Sequence, residues 1–163
     1  MAVLRSESVA SDVKQGSMAT SKAHSRRVII VGAAGRDFHN FNLVYRDDPA
    51  VAIVAFTAAQ IPGIAGRRYP AALAGPLYHD GIPIVNEAEL ELLCREYSVE
   101  EVVFAYSDAL HENVMHIASR ALAFGADFTL LGPKRTMLTS SRPVIAITAV
   151  RTGCGKSAIA RWL

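Results

Sequence analysis

Residues 28–40 read VIIVGAAGRDFHN, and the order of residue types in that stretch decides the fold. Val28-Ile29-Ile30-Val31 is apolar without alternation, the pattern of a strand buried on both faces in a parallel sheet. Gly32 ends the run, and Gly35 allows a tight turn from strand into helix. The segment from Phe38 to Arg46 then reads as a short helix that stops before Asp47-Asp48-Pro49. Strand, glycine turn and helix in this order open a strand-helix-strand unit.

Outward from this stretch the alternation continues. Strands are predicted at Val51–Thr57, Ile82–Val85, Val102–Tyr106 and Asp127–Leu131, with a last apolar strand from Pro143 to Ala149. Helices are predicted from an Asn86 cap to about Tyr97, and from about Leu110 to Phe124 with Ser107 or Asp108 as cap and Gly125 as left-handed stop. Residues 58–81, rich in Gly and Pro, read as a long loop. Right-handed crossovers between such strands give an α/β, doubly wound parallel sheet of Rossmann-like type. Ligands of such sheets bind beyond the carboxyl ends of the strands.

Composition narrows the function. Half of the chain is apolar (51%), enough for a sizeable core, and a net charge of +2 with dispersed Lys and Arg offers no nucleic-acid stripe. No apolar run has the length of a membrane span, so no membrane partner is expected. Cys94 and Cys154 stand in unrelated contexts, which points to free thiols and a reducing, cytoplasmic setting. His111 and His116 lack the spacing of a metal pair on one helical face. Residues 1–26, Ser-rich and poor in apolar residues, are expected to form a disordered leader.

Near the end of the chain, residues 151–157 read RTGCGKS. Glycines let backbone N–H groups converge on an anion, a lysine adds charge at the outer phosphates, and the next hydroxyl holds Mg²⁺. The nucleotide-binding candidates are therefore Arg151, Thr152, Gly153, Cys154, Gly155, Lys156 and Ser157, with Ser157 as the metal ligand. The usual loop wants Gly where Val150 stands; Arg151 instead marks a variant class that places a cation across a subunit boundary, so a homodimeric parent is expected. The expected domains are then a Rossmann-like unit over 27–142 and the start of a P-loop nucleotide-binding domain over 143–163.

A second constellation belongs to the sheet. Gly32, Gly35, Arg36, Asp37, His39 and Asn40 crowd the end of the first strand, Gln60, Gly63, Gly66, Arg67 and Arg68 lie in the long loop, and Tyr106, Ser107, Asp108 and His111 follow a later strand. Their convergence favours a phosphate-rich anionic ligand, with Gly32, Gly35, Arg36, Asp37, His39 and Arg67 as substrate-binding candidates. Singly, the aspartates are equally readable as helix caps and the arginines as surface residues. The second strand ends in Thr57 and two alanines, where a ribose-holding acid would stand, which counts against NAD.

The strings GAAGRDFHNFN, VAFTAAQIPGIAGRRYP, LAGPLYHDGIPI, EVVFAYSD, ADFTLLGPKRTML and PVIAITAVRTGCGKS, in this order, resemble cyclic 2,3-diphosphoglycerate synthetase from about Arg27 to Ser157. The resemblance implies a synthetase, a ligase also loosely described as a GTPase, that uses Mg²⁺ and ATP (or GTP) to close a phosphoanhydride in 2,3-bisphosphoglycerate or a relative. It implies that Lys156, the catalytic candidate, serves the nucleotide together with Arg151 and Mg²⁺ on Ser157. Members continue for a long second domain beyond the phosphate loop, so this chain by itself is expected not to turn over ATP. A non-catalytic Rossmann-like module for a phosphorylated metabolite or nucleotide, and a redox or CoA-binding domain, are the alternatives.

Overall fold

The computed structural model of the chain describes residues 24–33, 35–59, 63, 66–106, 109–148 and 154–163. The residues read as a leader, 1–23 above all, lie outside the described residues. The strands are β1 (Arg26–Val31), β2 (Val51–Ala58), β3 (Arg68–Tyr69), β4 (Ile82–Asn86), β5 (Glu101–Phe104) and β6 (Asp127–Leu130). They form one sheet in the order β3-β4-β2-β1-β5-β6. All pairings are parallel except that of β3 with β4. The apolar run Val28–Val31 lies in β1, with β2 on one side and β5 on the other, and is fully buried as its lack of alternation requires.

From β1 the chain winds outward through β2 to β4, then returns across the sheet to β5 and β6. The point of reversal lies between β1 and β5, where an open α/β sheet leaves its crevice. One face is covered by α1 (Arg36–Asn40), which runs on as a π-helical segment, Phe41–Tyr45. There Phe38 stacks on Tyr69 at 4.7 Å between ring centres and meets Phe56 edge-on at 4.9 Å. The other face is covered by the helices α3 (Leu90–Glu96) and α4 (His111–Ala123), which bury Leu90, Leu93, Cys94, Ile117 and Ala121.

The expected long loop is partly structured. It contributes β3 and α2 (Ala71–Ala74), because Tyr69, Ala74 and Tyr78 carry enough apolar surface to dock on the aromatic layer. Pro83 stands opposite Arg68 in this hairpin, before the parallel pairing of β4 with β2 begins at Ile84. Asn86 caps as expected: its side-chain oxygen accepts the Ala88 N–H at 2.9 Å, over a 3₁₀ turn Glu87–Glu89 that leads into α3. Gly125 ends α4 in a left-handed conformation (φ 80°), with Gly125 N–H to Leu122 O and Ala126 N–H to Ala121 O. That pair of bonds is a Schellman motif.

Three expectations are corrected. The residue in the cap position of α4 is Leu110, which has no side-chain acceptor to offer; Ser107 and Asp108 lie outside the described residues. Gly132-Pro133 breaks β6 but also starts a short helix, α5 (Pro133–Thr136), since proline suits a first helical turn. Residues 143–148 form no strand: they are largely exposed, with Ile145 81% accessible, and pair with no strand among the described residues. An apolar run becomes a strand only when a neighbour takes up its backbone donors and acceptors.

Candidate functional site

The turn after β1 is built around its own carboxylate. Gly32 takes φ +133°, and Asp37 folds back beneath it, 2% exposed. Oδ1 of Asp37 accepts the N–H of Gly35 at 2.6 Å and that of Phe38 at 2.7 Å. The turn at Gly35 was expected to hold an anionic ligand; its amide serves an acceptor supplied by the chain. A phosphate in the same turn would meet a buried carboxylate, and like charges in a poorly solvated site repel strongly.

The other expected substrate-binding residues divide. Arg36 is exposed at the start of α1. His39 Nε2 lies 2.6 Å from the backbone oxygen of Thr136. A carbonyl only accepts, so this nitrogen carries the proton, and the ring ties α1 to α5 rather than standing open to a ligand. Arg67 lies on the β3 side of the sheet; its backbone oxygen accepts from Ile84 N–H at 2.8 Å, while its side chain is exposed and makes no hydrogen bond or ion pair among the described residues. Arg68 is spent on the turn before β4, donating to the backbone oxygens of Asp80 (2.7 Å) and Gly81 (2.9 Å). Asn40 is buried, and its Oδ1 has no hydrogen-bond partner among the described residues. Gln60 lies outside the described residues.

On the opposite face the carboxyl ends of β2, β4 and β5 and the first turns of α4 enclose a cavity of about 290 Å³. Glu87, Phe104, Tyr106, Leu110, Asn113 and His116 contribute to its walls. The Tyr106 hydroxyl accepts the Ala59 N–H at 3.1 Å and donates to Glu87 Oε2 at 3.1 Å, so one relay crosses three strand ends. Burial pushes the Tyr106 phenol well above the usual tyrosine range, and the Glu87 and Asp37 carboxylates push it the same way. No cation counteracts them there among the described groups. By contrast, Arg135 and Arg26 both pull down the Tyr45 phenol elsewhere in the sheet.

Tyr106 was legible in the sequence as a strand-end residue. Glu87, Asn113 and His116 were not: Glu87 read only as a favourable acid in a helix's first turn, and His116 only as half of a rejected metal pair. The available signal was periodicity, since Asn113, His116 and Ile117 stand at i, i+3 and i+4 on the helix that follows β5. His111 starts that helix, exposed, and does not line the cavity.

Of the expected phosphate loop, Arg151, Thr152 and Gly153 lie outside the described residues. Gly155 is left-handed (φ 79°) and leads into α6 (Lys156–Trp162), whose amino end no side chain caps among the described residues. Cys154 and Ser157 are exposed, and Lys156 is half-buried. A left-handed glycine, an uncapped helix start and an exposed hydroxyl fit the binding of a phosphate with its metal.

The fold and site define a Rossmann-like α/β unit with a cavity at the carboxyl edge of its sheet. Among solved structures, UDP-D-quinovosamine 4-dehydrogenase from Vibrio fischeri superposes with a TM-score of 0.51 at 17% identity, over 66% of this chain and 79% of that one, a likeness of fold alone. No family model matches the chain. Among curated proteins, arginine synthetase ArcE of Thermococcus kodakarensis is 63% identical over 136 residues, 83% of this chain. The chain spans 30% of the length of that relative.

This last finding overturns the resemblance to cyclic 2,3-diphosphoglycerate synthetase, and with it the ring closure in 2,3-bisphosphoglycerate and the GTPase-like description. The strings that carried the resemblance are mostly sheet strands, turn glycines and an expected phosphate loop. Packing and phosphate binding dictate such residues, and the identity of the reacting substrate does not.

Proposed function

We propose that the chain is a portion of an arginine synthetase and supplies that enzyme's Rossmann-like unit. The observation that carries this reading is the 63% identity to the Thermococcus kodakarensis enzyme over 136 residues. The phosphate loop supports a nucleotide-driven synthesis: Arg151, Lys156 and the loop amides would bind the phosphates of ATP or GTP, and Ser157 would hold Mg²⁺. The nucleotide, when bound, supplies the activated phosphoryl group. For this part of the reaction the chain contributes charge neutralisation and positioning. The two-part organisation, 27–142 and 143–163, belongs to the same proposal, as does a homodimeric parent in which Arg151 reaches a neighbouring subunit's nucleotide. No helix among the described residues is long and apolar enough to cross a membrane. With both cysteines free, a reducing cytoplasmic setting is part of the reading.

The test is a segment exchange. The corresponding 136 residues of the Thermococcus kodakarensis enzyme are replaced by those of this chain, and arginine formation is followed by chromatography. Retained arginine formation, lost again on Lys156→Ala, is the expected result. A folded, soluble chimaera that makes no arginine would overturn the proposal.

A further inference from the structure

We propose that the cavity between the end of β5 and α4 binds a guanidinium group, with the Glu87 carboxylate as its counter-ion. The choice of ligand rests on the arginine-synthetase reading; the choice of site rests on the cavity itself. Glu87 is half-buried at the carboxyl end of β4. Its Oε2 is held by the Tyr106 hydroxyl, which is fixed in turn by the Ala59 N–H. Glu87 lines the same cavity and its Oε1 makes no bond among the described residues, so the carboxylate is oriented yet has an acceptor to give.

The electrostatics select the sign of the ligand. Apart from His116 at the exposed edge, no basic side chain among the described residues lines the cavity, and the Glu87 and Asp37 carboxylates both act on Tyr106. A phosphate group would enter against the Glu87 carboxylate, with no lysine or arginine among the described lining residues to receive it. A guanidinium would meet a carboxylate whose geometry it matches through parallel N–H donors. It would also lie beside aromatic and aliphatic walls, which favour a weakly hydrated planar cation. At about 290 Å³ the cavity is at the small end of ligand sites, in keeping with an amino-acid-sized molecule. Asn113, exposed on α4, adds an amide at the opening for the polar end of such a ligand.

The experiment is calorimetric titration of the full chain with L-arginine, agmatine, adenosine and inorganic phosphate, repeated on Glu87→Gln. The expected result is binding of arginine and agmatine, weakened roughly tenfold or more in Glu87→Gln as a charge-assisted bond becomes a neutral one. If Glu87→Gln does not fold, Asn113→Leu, which fills the opening from an exposed position, is expected to give the same loss. Absence of guanidinium binding, binding indifferent to the variant that folds, or preference for phosphate or adenosine would each overturn the inference. The two proposals fail separately. A chimaera that makes arginine, beside a chain that does not bind guanidinium compounds, removes the site and leaves the function. Glu87-dependent binding with an inactive chimaera removes the function and leaves the site.

Discussion

A Cβ placed on Gly32 would lie 2.6 Å from Oδ2 of Asp37. The glycine is therefore required by a carboxylate of the same turn, and by its own φ of +133°, which side chains rarely adopt. Gly35, three residues on, has nothing within 4 Å of the corresponding position. The two glycines of one apparent fingerprint thus differ in kind. Gly32→Ala is expected to cost about 2 kcal/mol or more through strain and contact, and Gly35→Ala less than about 0.5 kcal/mol. Urea unfolding of the two variants makes the comparison; equal losses would show that the turn is not organised around Asp37.

Removing the carboxylate should be costly as well. Asp37→Ala leaves the Gly35 and Phe38 amides without their acceptor and is expected to lose about 1–3 kcal/mol. A stabilised Asp37→Ala protein that gains phosphate affinity would instead mark the turn as an anion site held shut by its own acid.

His39 is expected to behave as a strut. Loss of its 2.6 Å bond to the Thr136 backbone in His39→Ala should lower stability by roughly 1 kcal/mol. Arginine affinity should stay within twofold or so, since His39 does not line the cavity. An unchanged melting temperature with lost ligand binding would reverse that assignment.

Alkaline pH should unfold the chain by way of its buried tyrosines. Burial first, and then the Glu101 carboxylate, raise Tyr45 to about 12 from an ordinary value of 10.0. Because the folded-state value is the higher one, the contribution to stability is complete below pH 10 and is lost as pH climbs through about 12. Tyr78 and Tyr106 shift in the same direction. Ultraviolet titration near 295 nm is expected to show a group of phenols that ionise only with unfolding, and Tyr45→Phe should flatten the loss of stability over that window.

The two thiols should separate cleanly. Cys94 is buried in α3 and burial raises its thiol, while Cys154 is exposed. With a chromogenic disulfide at pH 8, one equivalent is expected to react at once and be abolished by Cys154→Ser. The second should appear only in denaturant. Two fast thiols would mean that the α3 packing opens readily.

Much of the sheet was legible because its signals are local and strong. An unbroken apolar run such as Val28–Val31 is compatible with few other places than the middle of a parallel sheet, and Asn86 and Gly125 act through backbone chemistry within a few residues of themselves. The hairpin of β3 with β4 was not legible, since Tyr69 docks on Phe38 and Phe56, partners distant in sequence. The run from Pro143 failed in the opposite direction: its composition suits a strand, yet strand formation depends on a neighbour that no local pattern can report.

The sequence by itself determined the α/β class and the largely parallel, Rossmann-like sheet. Both follow from periodicity and backbone conformation, which neighbouring residues set. Only the tertiary structure decided the sign and place of the site. Asp37 and Glu87 look alike in the sequence, two acids in first helical turns. Folding fills the β1 turn with one of them and aims the other, through Tyr106, at a cavity. The reason is that a carboxylate's role depends on which donors reach it, and here the Tyr106 donor lies just beyond β5, separated from Glu87 in the chain by α3.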